Sequence, residues 1–258
     1  MYRYSATGNT FLIGDGRNGE AAKLSLEEIK RLCDKAGVDG LIFLEESKNP
    51  EADFHMKYFN RDGGEVGMCG NGARSILHFA SKVLEIESNK GEYKFSTLNS
   101  LYMGKSSENF PVQMTELYDE AKYEVGDLYK EAMDSYFMNT GVPHCLYLVE
   151  DAEKVELDSA GEFIRFHERF KGGTNANFFH KTGEQTLRMR TYERGVDGET
   201  DSCGTGATAA ALMMAKKQGW KSPVSIKVNG GDLTISFNED YSEVFLAGPV
   251  NFQGEYLE

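Results

Sequence analysis

The chain has 258 residues and a formal net charge of −13, from 28 Lys and Arg against 41 Asp and Glu. That balance excludes nucleic acid and an anionic membrane surface as main partners, since both call for a basic stripe. Apolar residues at 40% and aromatics at 12% exclude wholesale disorder and supply a core that stands without disulfide staples.

Met1-Tyr2-Arg3-Tyr4-Ser5 runs directly into Gly8-Asn9 with no apolar h-region behind it. The longest apolar stretch, at 207–215, is far short of the roughly 18 residues a membrane span needs. A soluble, cytoplasmic protein is expected. Ser25-Leu26-Glu27-Glu28 is a capping box that predicts a helix to Ala36, stopped by Gly37. Leu41 to Leu44 suits a buried strand, and Phe54, Met56 and Tyr58 alternate with polar neighbours as a half-buried one does. Tyr93, Phe95 and Thr97 do the same. Further on, Cys145 to Val149 and Leu187 to Thr191 read as strands. Val224, Ile226 and Val228, then Leu233, Ile235 and Phe237, flank Asn229-Gly230-Gly231-Asp232, a hairpin signal because Asn and Gly tolerate positive φ. Many strands and few helices predict an α+β fold.

The decisive feature is an internal repeat. Residues 64–73 and 198–207 both read G-E-x-x-x-C-G-x-G-A with identical spacing. Each copy follows a strand ending in an aromatic, Phe59-Asn60 or Tyr192-Glu193. Each precedes a helical pattern, Ile76, Phe79, Ala80 and Val83 in one, Ala211, Leu212 and Ala215 in the other. A single buried Cys among glycines is commonly a small core residue. Chance duplication with matched spacing is much harder to credit.

A thiol just ahead of a helix sits where unpaired N–H groups and the macrodipole favour negative charge, which lowers its pKa. The flanking glycines let a carboxylate approach bare backbone. Two such half-sites facing each other form a device for stereoinversion, with one thiolate taking an α-proton and the other thiol delivering a proton to the opposite face. The remaining cysteines, Cys33 and Cys145, lie in apolar surroundings and are expected in the core. The four cysteines form no CxxC and have no clustered His partners, so no metal is expected. His55, His78, His167 and His180 show no pattern, and His144, directly after Pro143, reads as a loop residue.

In these residues the chain resembles the diaminopimelate epimerase family. The resemblance covers nearly the whole chain. It is carried by Gly8-Asn9-x-Phe11, Phe59-Asn60-x-Asp62-Gly63, Met68-Cys69-Gly70-Asn71-Gly72-Ala73-Arg74, Gly141-x-Pro143-His144, Asn175-x-Asn177-Phe178, Tyr192-Glu193-Arg194-Gly195 and Cys203-Gly204-Thr205-Gly206-Ala207. It implies two pseudo-symmetric domains, each a mixed sheet wrapped around a central helix, with the active site in the cleft between them. One half would span 1–115 with a returning strand at 249–258 and carry Cys69. The other would span 116–248 and carry Cys203, with the crossover at 112–120.

The resemblance also implies roles. Cys69 and Cys203 would be the acid/base pair, with His144 and Glu193 tuning the thiols. Gly70, Asn71, Gly204 and Thr205 would donate backbone N–H groups to the α-carboxylate. Asn9 and Glu193 would lie near the reacting end, and Asn60, Asn175 and Arg194 would grip the distal amino-acid end. The reaction would need no cofactor, the partner would be a small amino-acid substrate, and the family suggests a homodimer. Val142, Thr10 and Gly40 depart from residues many members carry, which bears on how the substrate's ends are held. Two rivals stay open: a proline- or hydroxyproline-type racemase or related isomerase on the same fold, and a non-enzymatic thiol switch forming a Cys69–Cys203 disulfide.

Overall fold

Strands of alternating burial stand beside strands buried nearly throughout, and the helix that follows each repeated cysteine is buried along most of its length. The computed structural model describes residues 1–19, 21–98, 100–114, 118–119 and 123–257, with the backbone alone at Tyr118 and Asp119. The chain divides into two compact units, residues 1–113 with 247–258, and residues 114–246. The crossover expected at 112–120 lies partly outside the described residues.

In the first unit, β1 (Tyr2–Ala6) pairs antiparallel with β2 (Asn9–Asp15), which runs parallel to β3 (Gly40–Glu45). β3 is antiparallel to β4 (Phe54–Asn60), whose end carries β5 (Glu65–Val66). β4 runs parallel to β6 (Glu92–Ser96), which continues antiparallel into β7 (Leu101–Lys105) and β8 (Val112–Gln113). The C-terminal strand, Asn251–Glu255, pairs with the free side of β1.

Period two decides which faces meet which helix. Ile42 and Leu44 join Phe54, Met56 and Tyr58 against Ala73, Ile76 and Leu77 of α2 (Gly70–His78). Leu41 and Phe43 point the other way, onto Ile29 and Cys33 of α1 (Leu26–Ala36). Helix α1 has the expected reciprocal capping box at Ser25 and Glu28, and Gly37 ends it at φ 61°. α2 is shorter than its apolar pattern suggests. It passes into a widened turn over Phe79–Val83, where Leu84 N–H bonds the Phe79 carbonyl.

The second unit repeats this plan. β9 (Tyr118–Asp119) and β10 (Asp134–Asn139) lead antiparallel into β11 (Pro143–Leu148), which runs parallel to β12 (Asn175–Gly183). β12 is antiparallel to β13 (Thr186–Glu193), which carries β14 (Gly198–Thr200) and runs parallel to β15 (Val224–Val228). β16 (Gly231–Phe237) closes a hairpin on β15, and β17 (Val244–Ala247) follows. α3 (Leu157–Arg165) covers the outer face. The inner helix, α4 (Gly204–Gln218), is buried on every side from Gly206 to Ala215, as a helix enclosed by its sheet must be.

Two expectations need correction. The β15–β16 hairpin forms, but within Asn229-Gly230-Gly231-Asp232 the positive φ falls on Gly231, at 139°, and not on Asn229 or Gly230. The backbone N–H of Gly230 is instead held by the Asp201 carbonyl. His144, which follows Pro143 and reads as a loop residue, lies inside β11 and is fully buried. Cys33 and Cys145 are core residues, and burial pushes their thiols up to about 11 and about 12.

Candidate active site

Both repeated cysteines occupy the N-cap position of the inner helix of their unit, with extended backbone angles. The short strand before each one ends, two residues follow (Gly67-Met68 or Asp201-Ser202), and the cysteine is the last residue before helical angles begin. The first N–H groups of an α-helix have no intrahelical acceptor. Gly70 and Asn71, and Gly204 and Thr205, therefore present donors and the positive end of a helix dipole beside a sulfur.

In the first unit the Cys69 sulfur accepts from the Gly72 N–H at 3.4 Å. Asn71 is buried and donates through Nδ2 to Asn9 Oδ1 at 2.6 Å, so Asn9 is fixed to the start of α2. Asn60 stands exposed at the end of β4, where its backbone closes a turn with Gly63 and Gly64. Arg74, one turn into α2, is fully buried. Its Nη2 donates to the Thr7 hydroxyl, while Nε and Nη1 have no hydrogen-bond partner among the described residues. Burial lowers the guanidinium pKa to about 10, and attraction to Cys69 acts in the opposite sense. By reciprocity the same attraction favours Cys69 as a thiolate.

In the second unit the Cys203 sulfur lies 3.5 Å from the Thr205 hydroxyl. That hydroxyl is 3.0 Å from His144 Nε2, and His144 Nδ1 is 3.1 Å from Asn177 Nδ2. Burial, helped by the charge of Arg194, lowers the His144 pKa to about 3, so the ring is neutral at any physiological pH. Glu193 receives a hydrogen bond from the Thr200 hydroxyl at 2.7 Å. Burial holds its carboxyl above the usual range, and that hydrogen bond pulls it part of the way back. Asn175 is buried with both amide atoms engaged, Nδ2 on the Pro143 carbonyl and Oδ1 on the Arg194 N–H. As placed, Asn175 holds the backbone of Arg194.

The structure thus groups Cys69, Gly70, Asn71 and Asn9 in one unit, and Cys203, Gly204, Thr205 and His144 in the other. Glu193, Arg194 and Asn175 gather at the adjoining ends of β12 and β13. Three residues to which sequence reasoning gave no role belong to these surroundings: Arg74, coupled by charge to Cys69, Thr7, which bonds Arg74, and Asn177, which meets Cys203 around Gly206. Asn177 carries a signal in hindsight, because an amide in an otherwise apolar buried run must have partners. Arg74 carries one too, as a charge in the middle of an inner-face pattern.

The model of the family described as diaminopimelate epimerase matches residues 1–108 and 136–253. The chain is similar to the diaminopimelate epimerase of Aquifex aeolicus (strain VF5), at 38% identity over 275 residues, covering 100% of this chain and 98% of that protein. It is likewise similar to that of Flavobacterium psychrophilum, at 36% over 260 residues, covering 98% and 97%. Among solved structures, a phenazine biosynthesis protein of the PhzF family from Bacillus anthracis matches with a TM-score of 0.74 at 15% identity, covering 97% of this chain and 95% of that one. A hydroxyproline epimerase from Agrobacterium vitis matches at 0.67 and 14%, covering 98% and 88%. At such identities the likeness is one of fold.

Proposed function

The chain belongs to the diaminopimelate epimerase family, and from that membership we propose that it is an isomerase inverting one stereocentre of L,L-2,6-diaminopimelate to give the meso form. The observation that carries the reading is the duplicated placement of Cys69 and Cys203, each capping the inner helix of its unit. The two units serve as two half-sites. The α-carboxylate takes hydrogen bonds from the N–H groups of Gly70, Asn71, Gly204 and Thr205, which stabilise charge as it spreads from the α-carbon into the carboxylate. One cysteine thiolate removes the α-proton, so an S–H bond forms as the C–H bond breaks. The other thiol gives its proton to the opposite face. In the reverse direction the two exchange roles.

No cofactor enters this scheme, since helix N-termini and neighbouring polar groups supply the stabilisation. Arg194 suits the distal carboxylate through its planar fork, with Asn60 and Asn175 shaping that end. Val142 offers no polar group there. The product is a precursor for lysine and peptidoglycan, which fits a cytoplasmic enzyme.

Incubating the reduced protein with L,L-diaminopimelate in D2O tests the proposal. Deuterium entering one α-carbon as the meso isomer appears is the expected result. Absence of exchange with both thiols confirmed reduced, or turnover of proline or hydroxyproline in its place, overturns it.

A further inference from the structure

The two units share a register, so each residue around one thiol has a twin around the other. β2 places Phe11 beside Gly40, and β11 places His144 beside Asn175. In the antiparallel pairs, Ile42 faces Tyr58 and Asn177 faces Thr191. The ends of β4 and β13 correspond through the repeat, so Phe11, Ile42 and Tyr58 are the twins of His144, Asn177 and Thr191. The glycines give the same answer independently. A Cβ on Gly72 meets Ile42 Cδ1 at 3.0 Å, and a Cβ on Gly206 meets Asn177 Oδ1 at 2.4 Å. In the first unit this place is apolar, with Phe11 and Tyr58 packed edge to face at 6.0 Å. The fold of a half therefore does not require polar groups there. The second unit nevertheless buries three of them.

Their hydrogen bonds leave one assignment. Asn177 Nδ2 donates to the Cys145 carbonyl at 2.9 Å, which can only accept, and Asn177 Oδ1 accepts from the Thr191 hydroxyl at 3.0 Å. Turning the amide over would set its oxygen against that carbonyl. The second Nδ2 proton points to His144 Nδ1, which must then be the acceptor. A neutral imidazole accepting at Nδ1 carries its proton on Nε2, and that proton goes to the Thr205 hydroxyl oxygen. The Thr205 backbone is held as well, by the Thr140 hydroxyl on its carbonyl at 2.9 Å. The one hydrogen of the Thr205 hydroxyl is left to point at Cys203.

We propose that Asn177 is a positioning residue for Cys203, fixing the tautomer of His144 so that the Thr205 hydroxyl serves the Cys203 sulfur. The inference rests on the reading of Cys203 as an acid/base thiol. Thr205 Oγ has one hydrogen and, beyond the bond from His144, a remaining lone pair. It donates when Cys203 is a thiolate and accepts when Cys203 is a thiol. The sulfur can thus gain or lose the substrate's proton without a change of protonation at His144. Burial and the Arg194 charge, which both disfavour an imidazolium, fit that role. His144 neither takes the Cys203 proton nor forms an ion pair with it.

The test reads the thiol and the ring without substrate. Site-resolved alkylation of Cys203 against pH is followed in the full chain, alongside 15N–1H spectra of His144. In the unaltered protein His144 is expected to stay neutral with its proton on Nε2 from pH 5 to 8. Thr205→Ala is expected to move the Cys203 profile about one pH unit alkaline, the size of a lost charge-assisted hydrogen bond. Thr205→Ser is expected to keep the profile in place. Asn177→Asp is expected to put a proton on Nδ1 and give the Cys203 profile a second inflection as His144 begins to titrate. A proton on Nδ1 in the unaltered protein, a ring that titrates between pH 5 and 8, or a Cys203 profile unmoved in Thr205→Ala overturns the inference. Turnover of diaminopimelate is scored separately. Its absence beside the expected thiol profiles refutes the proposed function while the positioning role holds.

Discussion

Replacing Arg74 with Met sets the stability of the first unit against its activity. The guanidinium is fully buried with two of its three nitrogens unpartnered among the described residues. Its pKa falls from 12.5 to about 10 because burial penalises the charge. At ~1.4 kcal/mol per pH unit, that fall corresponds to about 3 kcal/mol carried by the charged form in the fold. Met has similar reach and no charge, so it removes that penalty. It also removes the Nη2 bond to Thr7, worth ~1 kcal/mol. The balance predicts a variant about 1–2 kcal/mol more stable, comparable to buried ion groups replaced by apolar ones. Thermal and urea unfolding read this directly, with an expected rise in Tm of about 2–8 °C. Catalysis is expected to move the other way. Without the cation the Cys69 thiolate forms at higher pH, so the pH–rate profile shifts alkaline and kcat falls by about tenfold or more at neutral pH. Arg74→Lys keeps the charge and is expected to lie between. A variant that loses more than about 1 kcal/mol would mean that the guanidinium is satisfied and structural. Unchanged kcat would refute the coupling to Cys69.

Cys69→Ser and Cys203→Ser are each expected to abolish epimerisation, because an alcohol is a far weaker acid than a thiol; near-normal turnover in a stereochemical assay of either variant sinks the two-thiol scheme. Gly206→Ala drives a methyl into Asn177 Oδ1 at 2.4 Å and close to the Cys203 sulfur at 3.3 Å. It is expected to cost about 1–3 kcal/mol and to lower kcat. Gly72→Ala meets the flexible ends of Ile42 and Met56, at 3.0 and 3.2 Å, and Cys69 Cβ at an ordinary 3.5 Å, and is expected to be the milder of the two in urea melts. For pH, His144 binds its proton in the unfolded chain near 6.5 and in the fold near 3. The unfolded state holds more protons between those values, so stability is full above 6.5 and is lost as pH falls toward 3. Urea midpoints should follow that slope, and His144→Gln, which does not titrate, should flatten it.

The repeat was legible because the glycines after each thiol leave no free room for a side chain, Gly72 against Ile42 and Met56 and Gly206 against Asn177 and Cys203, and such a pattern survives as letters. α1 was legible for the same reason, since Ser25, Glu28 and Gly37 each perform a capping role that few residues can. The strands β4 and β15 announce themselves by period two, and β3 by a short apolar run. The neighbours of the thiols were harder. His144 follows a proline, a usual mark of a turn, but its strand begins at that proline and runs parallel to β12. Nothing local distinguishes the two cases, because the partner strand lies some thirty residues away in the chain. Asn177 stands inside a quoted motif, yet its partners Thr191, Cys145 and His144 come from two other strands. Arg74 reads as a charge on a helix; only the sheet closing around α2 makes it a buried one. The widened turn after His78 and the placing of positive φ on Gly231 are likewise decided by packing and pairing beyond the local residues.

The strand at Asn251–Glu255 has a consequence for how the chain assembles during synthesis. It pairs with β1, which is made well before it, through a register that joins Tyr2 to Glu255 and Ser5 to Asn251. Until that strand has been made, β1 has β2 on one side and an open edge on the other, a template for pairing with another nascent chain. The second unit, residues 114–246, is continuous in sequence and emerges whole. Order of birth and order of completion are therefore reversed: the unit that begins first is sealed by a strand made only after the whole of the second unit. A chain that stops short of Asn251 holds a finished second unit beside a first one whose β1 edge is still open.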